Sequence, residues 1–530
     1  MKRRRNLKTV VIGAGHNGLV CACYLAARGF DVTVLERSDQ IGGAAITESF
    51  FPGFKNSVAS YAVGLLSPVV VRELNLERHG LRIIVRPVAN FLPLPSGDSL
   101  TLTGSSSERQ SAIARLSADD AQRYPDFSAM LDDAAALVRP LLHRAPPNSA
   151  SSVGDLLNGL GIARNIGSRS LRDRRRLVDL FTRSAGDILD DWFESEALKA
   201  ALAFDAIVGT FASPYSPGTG YVLLHHVMGE TNGLKGVWGH AMGGMGSITA
   251  ALADEARERG VEIRTETAVE QVNVRSGSAL GVTLASQKEL PADIVVSGIN
   301  PKLLFLKLLT RDAVPEDVRE HMRRWRCESA TLRMNVALNQ LPNFDCAPGV
   351  QQQAHHTAGI YFAPSPAYMD RAYSDARNQG WSQEPVIEML IPSTIDGSLA
   401  PDGHHVASLF CQHFRYLLPD DRHWDDAREE AAESVIDTVN RYAPNFRSSI
   451  VGRQTLSPLD LERRFGLTGG DIFHGALSLD QLFSARPMLG FANYRSPVKG
   501  LYMCGSGTHP GGGVTGIPGH NAANAIIADH

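Results

Sequence analysis

An α/β fold with a discontinuous nucleotide-binding unit is predicted by three features of this 530-residue chain. A short apolar run followed by glycines stands near each end. Helix-then-strand segments resume that pattern in mid-chain, and two long stretches of different character separate the pieces.

The opening segment reads Thr9-Val-Val-Ile-Gly-Ala-Gly-His-Asn-Gly-Leu19. Its apolar run predicts a strand, and Gly13-x-Gly15-x-x-Gly18 leads into a helix-compatible stretch reaching Arg28. This is the dinucleotide fingerprint in the context it requires. Gly13 permits the tight turn, Gly15 lets the backbone approach a pyrophosphate, and Gly18 lets helix and strand pack closely. The phosphates are expected at the helix N-terminus, where free N–H groups and the macrodipole favour an anion. His16 and Asn17 fall in that turn and count with the glycines as cofactor contacts.

A second strand, Asp31 to Leu35, ends in Glu36, 18 residues beyond Gly18. A carboxylate there accepts from a ribose 2′-hydroxyl, which selects an adenine dinucleotide without a 2′-phosphate.

In mid-chain, Gly243-Gly-Met-Gly246 enters a predicted helix, and alternating runs at 261–265, 268–274, 280–284 and 294–297 read as strands. At the end, Leu501 to Cys504 reads as a strand and a helix is expected from near Gly519. The glycine-rich loop between them offers backbone free of Cβ atoms, against which a planar ring or a phosphate can lie. The nucleotide unit is therefore assigned to 1–60, 235–300 and 490–530, with an α+β substrate unit inserted as 61–234 and 301–489. The first insert shows helical periodicity, as at Phe127 to Leu142 and Leu177 to Trp192. The second mixes helix with strands such as Leu332 to Leu338, Val386 to Ile391 and Val406 to Phe414.

At 43% hydrophobic content the chain can build more than one core. A net charge of −4 argues against a nucleic-acid partner, and no run approaches the roughly 18 apolar residues of a membrane span. Met1-Lys-Arg-Arg-Arg5 reads as a solvated basic tail. The arginines between Arg164 and Arg176 read as solvated surface, the favoured reading, or as a docking site for an anionic bilayer. The six cysteines contain no Cys-x-x-Cys or Cys-x4-Cys pair, so a flavin disulfide reductase's dithiol is absent from the sequence. Cys21 and Cys23 read as packing residues. No metal site is expected at His225-His226, His355-His356 or His404-His405, because adjacent residues on a strand face opposite ways. No Gly-x-Ser-x-Gly elbow argues for a hydrolase.

Together the opening Gly-Ala-Gly-His-Asn-Gly-Leu, Glu36-Arg37, Ile41-Gly-Gly-Ala-Ala45, Gly243-Gly-Met-Gly246 and Gly505-Ser-Gly-Thr-His-Pro-Gly-Gly-Gly513 resemble the phytoene desaturase-like FAD oxidoreductases over nearly the whole chain. Gly470-Asp-Ile-Phe-His-Gly475, Leu479-Asp-Gln-Leu482 and Pro392-Ser-Thr-Ile-Asp396 are similar to the branch holding pyridine nucleotide-disulfide oxidoreductase domain-containing protein 2 and its bacterial relatives. The resemblance implies a glutathione reductase-type FAD domain covered by a substrate domain. It places Gly13, Gly15 and Gly18 along the pyrophosphate, Glu36 at the adenosine ribose, and Gly42 and Gly43 near the phosphates, with Arg37 and Ala44 also among the cofactor contacts. Val269 meets the adenine through its backbone, and Gly505 with Gly512, Gly513 and Val514 lies against the ribityl chain and isoalloxazine. Ser506 departs from the Asp that many flavoproteins carry after that glycine.

Flavin chemistry takes a hydride from substrate carbon at N5 and leaves the protein to position, exclude water and supply a base. His509 and His474 are the candidates for the base, each weighed against a loop-fixing role, which is favoured. The substrate is expected to be apolar or polyene-like. Oxygen or a quinone is favoured over NAD(P) as electron acceptor, because no second fingerprint occurs and Gly239 to Gly246 has the wrong spacing. A flavin-dependent isomerase, a non-enzymatic escort on the same fold and, more weakly, an amine oxidase compete with the oxidoreductase reading. A bacterial chain of this kind is expected in the cytoplasm, peripheral to a membrane if the arginine run docks there, and a eukaryotic relative in the mitochondrial matrix.

Overall fold

The computed structural model describes residues 6–148 and 153–530; the basic tail Met1–Arg5 lies outside them. Five parallel strands form one sheet in the order Glu262–Arg264, Asp31–Leu35, Lys8–Ile12, Ile294–Ser297, Leu501–Met503. The Lys8–Ile12 strand is buried from Thr9 onward, as a parallel strand covered on both faces must be. Helices His16–Ala26, Gly246–Glu258 and Ile517–Asp529 cover one face, and their apolar residues share a core with the strands. The other face packs on the meander Val269–Arg275, Ser278–Leu284, Glu289–Pro291 and on the region around Phe305 and Trp325. The next strand in the chain, Asp31–Leu35, lies on one side of the central strand and the much later Ile294–Ser297 on the other, which makes its C-terminal end a topological switch point where ligands bind.

A second sheet has seven strands in the order Ile450–Leu456, Thr331–Leu338, His405–Gln412, Val386–Leu390, Gly359–Phe362, Val88–Pro93, Ser99–Thr103. It is antiparallel except where Gly359–Phe362 meets Val88–Pro93. The helical reading of 61–234 missed its last two strands. Val88–Pro93 carries Pro93 and only a partial alternation, so its sequence gives a weak period-two signal. Helices Ala118–Leu142, Leu171–Thr182, Ala185–Trp192, Glu196–Asp205 and Thr219–Val227 pack together over one end of this sheet. The stretch read as one segment from Leu177 to Trp192 is two helices, because Ser184 caps a fresh start by accepting from the Asp187 N–H. Among the described residues no helix is long and apolar enough to cross a membrane.

Candidate functional site

A cavity of about 690 Å³ runs from the carboxyl ends of the parallel strands to Phe410 of the seven-stranded sheet. That volume lies in the range of cofactor and ligand pockets.

At one end the cavity meets the fingerprint. Gly13 has φ +98°, a conformation open to glycine, and its N–H donates to the Leu35 carbonyl at 2.8 Å, tying the turn to the second strand. A Cβ on Gly18 would collide with the Gly13 carbonyl oxygen, so helix and turn are in direct contact. A Cβ on Gly15 would meet nothing within 4 Å, and Gly15 lines the cavity. The helix that starts at His16 has no side-chain cap. Its first N–H groups are therefore available to an anion.

Glu36 is 8% exposed and lines the same end. The Ala14 N–H donates to its Oε2 at 2.9 Å and the Ser38 N–H to its Oε1 at 3.0 Å. Arg37 donates through Nη2 to the Arg463 and Arg464 carbonyls at 3.3 and 3.0 Å, holding the end of helix Pro458–Phe465 over this part of the cavity. Gly43, Ala44 and Val269 line it as well.

The closing loop forms the facing wall through Ser506, Gly513 and Val514. Asn17 Nδ2 donates to Ser506 Oγ at 3.0 Å, joining the two glycine-rich ends of the chain. His16 Nε2 and Asn17 Oδ1 are buried without a hydrogen-bond partner. Gly42, Gly505 and Gly512 do not line the cavity. Side chains there would meet Thr249 and Ile46, the Gly298 backbone, and Phe473 respectively; these glycines let chain segments pack behind the wall.

The far end is apolar and aromatic, with Tyr61, Leu65, His226, Trp238, Phe410 and Phe473 around it. The Tyr61 ring stacks on Phe410 at 5.2 Å, and the Arg333 guanidinium sits 4.4 Å from its centroid. Tyr61 Oη donates to Glu388 Oε2 at 2.5 Å, and Glu388 Oε1 lies 3.6 Å from Arg86 Nη1. Burial, and then Glu388, pushes the nearby Asp205 carboxyl up to about 7 against the pull of Arg86.

Of the two histidines expected to act as a base, His474 lines the cavity beside His16. Burial brings each down to about 4, helped by His474 in the one case and by Arg486 in the other. Both are neutral at pH 7. His509 does not line the cavity. Its Nε2 lies 3.0 Å from the Leu141 carbonyl and its ring meets Phe483 edge-on, so it fixes the loop. Nearness in sequence to the glycine run did not decide where its ring points. The wholly buried Arg486 donates to the Phe473 and Ser506 carbonyls at 2.7 and 2.8 Å, clamping the His474 loop to the closing wall.

His225 and His226 sit on helix Thr219–Val227, and His355 and His356 in a short turn at Ala354–Thr357; neither pair is on a strand. Among the described residues one trio, His79, Glu255 and Glu258, has metal-compatible spacing, but Arg259 and Arg78 already pair with its carboxylates. Cys21 and Cys504 meet thiol to thiol in the core, which their sequence spacing could not show. Both are wholly buried and away from the cavity.

Residues 11–70 match the NAD(P)-binding Rossmann-like domain, and residues 102–336 match the flavin containing amine oxidoreductase family. Pyridine nucleotide-disulfide oxidoreductase domain-containing protein 2 of Rattus norvegicus is 42% identical over 98% of this chain and 93% of its own. The chain belongs to that family of flavin-containing oxidoreductases. Phytoene desaturase (lycopene-forming) of Pseudescherichia vulneris is 25% identical over 98% of each chain. A solved oxidoreductase from Methanosarcina mazei shares the fold at TM-score 0.60 and 16% identity, covering 98% of this chain and 100% of its own.

The cofactor of this family is FAD, and the cavity fits it. The open space at Gly15, the uncapped helix start, the Glu36 carboxylate and the orphaned polar atoms of His16 and Asn17 are what an adenine dinucleotide would engage. The aromatic end lay beyond sequence reasoning. Tyr61, Trp238, Phe410 and Glu388 come from separate strands and loops, and no local motif marks them.

Proposed function

We propose that this flavoprotein dehydrogenates or oxidises an apolar, polyene-like small molecule. The observation that carries the reading is the aromatic end of the cavity, continuous with the nucleotide end and bounded by Tyr61, Trp238, Phe410 and Phe473. A relative in the same fold is named for the desaturation of phytoene, which supports an apolar substrate.

FAD would supply the two-electron acceptor, taking a hydride at N5. Gly13, Gly15, His16, Asn17, Gly18, Glu36, Arg37, Gly43, Ala44 and Val269 would hold its adenosine and phosphates, and Ser506, Gly513 and Val514 its ring side. Units 1–60, 235–300 and 490–530 would hold the cofactor, and 61–234 with 301–489 would shape the substrate end.

The chain's own residues then orient substrate and exclude water. Trp238, Phe410 and Phe473 supply apolar walls. Tyr61, fixed by Glu388 and Arg333, would add its ring to those walls. His474, neutral at working pH, is the candidate proton acceptor; His226 lines the same end, but its Nδ1 is engaged at 2.9 Å by the Val222 carbonyl. The electron acceptor is oxygen or a quinone.

The test is anaerobic mixing with candidate apolar substrates, the first of them recovered from the purified protein by solvent extraction. Bleaching of the flavin band with formation of a more unsaturated or oxidised product supports the reading. Product formation without net oxidation would replace it with isomerisation.

A further inference from the structure

We propose that the outer face of helix Leu171–Thr182 docks on an anionic lipid bilayer. This rests on the reading of an apolar substrate, for which it supplies a source.

The helix has two unlike faces. Leu177 and Phe181 are half-buried and Leu180 is buried, and this stripe packs into the helical layer beside the cavity. Leu171, Arg174, Arg175 and Val178 follow the spacing of the opposite, outward face. Leu171 and Val178 are 55% and 59% exposed, and Leu160 on the preceding helix Val153–Gly167 is 56% exposed. Large apolar side chains this open are few among the described residues, and three of them occur within one short stretch.

The charge around them is mainly positive. Arg164, Arg169, Arg172, Arg174 and Arg175 are all exposed in a chain whose net charge is −4. Among the described residues, the side chain of none of the five is in an ion pair or hydrogen bond. Asp173, the acid in their midst, is taken up by the Ser170 hydroxyl that caps the helix. Several surface arginines elsewhere are paired, such as Arg447 with Glu433 and Asp437, Arg453 with Glu429 and Glu433, and Arg463 with Asp425. What sets this stretch apart is that unpaired arginines and open apolar side chains occur on it together. Basic residues around exposed apolar ones suit anionic headgroups, with Leu171 and Val178 entering the boundary with the acyl chains.

The placement relates to the site. The inner side of this helix packs on helix Thr219–Val227, where Phe181 meets Tyr221 at 5.1 Å. The last turn of that second helix carries His226, which lines the aromatic end of the cavity. The basic face and the apolar end of the cavity thus lie on two sides of one helical layer.

The experiment is flotation of the full-length protein with phosphatidylcholine vesicles, with and without phosphatidylglycerol, at low and high salt. Binding is expected only to the anionic vesicles and is expected to fall as salt rises. The triple variant R172Q/R174Q/R175Q should bind about 100-fold more weakly. Leu171→Ser with Val178→Ser should weaken binding while leaving its salt dependence. Because all five side chains are exposed, circular dichroism should show each variant folded like the parent. Absence of binding at low salt, equal binding by the variants, or binding to RNA in place of vesicles would overturn the proposal. The flavin content of the same preparations tests the cofactor reading separately.

Discussion

Asn17 and Ser506 stand 489 residues apart and are joined by a hydrogen bond of 3.0 Å between the first turn of the first helix and the closing loop. A Cβ on Gly519 would collide with the Asn17 carbonyl oxygen, so the closing helix touches the first at the same place. The two glycine-rich ends are therefore one wall system. Asn17→Ala should loosen it by about 1 kcal/mol, raising the Kd for FAD roughly fivefold. Equilibrium dialysis with FAD checks this, and an unchanged Kd would assign the bond no role in holding the cofactor.

The fingerprint glycines should separate into two phenotypes. Gly15→Ala puts a methyl into open cavity space, so the melting temperature of the apoprotein should hold while FAD binding weakens by about 1–3 kcal/mol. Gly18→Ala drives a methyl into the Gly13 carbonyl, and apoprotein stability should fall by about 3 kcal/mol. Thermal melts of both apoproteins decide, and equal losses of stability would contradict the geometry.

Asp205 predicts a pH effect of definite sign. Its folded pKa, about 7, lies above the ordinary carboxyl value, so the folded state holds a proton the unfolded chain has released. Stability from this group is present near pH 4 and is lost as the pH rises to about 7. Asp205→Asn should flatten that part of the stability-versus-pH curve, read by urea unfolding at several pH values. An unaltered curve would mean that Asp205 titrates normally.

His225 works in the opposite direction. Both its ring nitrogens are buried without partners, and burial, then His226, brings its pKa down to about 3. The unfolded chain takes up a proton near pH 6.5 that the folded one refuses, so stability is lost as the pH falls from there. His225→Leu removes an unsatisfied polar group and should lose less melting temperature than the parent between pH 7 and pH 5. Parallel losses would count against it.

The nucleotide half of the site was legible because its signals are local. Strand, glycines, helix and Glu36 follow one another within a single unit, and Gly13 and Gly18 have conformational and steric reasons that sequence spacing preserves. Distance along the chain hid the rest. Tyr61 matters through Glu388 and Arg333, which arrive from two strands of a sheet whose order no single segment reveals. His509 shows the converse limit: it lies in the expected loop, yet its ring is spent on Leu141. Arg486 gave no signal, since its value lies in carbonyl groups that fold around it.

The most direct test of the central claim is the absorbance spectrum of the purified protein together with FAD titration of wild type and Glu36→Ala. The wild type should be yellow or take up added FAD, and Glu36→Ala should bind it about 10- to 100-fold more weakly, as expected for lost hydrogen bonds to a charged group. A folded, colourless wild type that takes up no FAD, or a Glu36→Ala protein with undiminished affinity, would contradict the account.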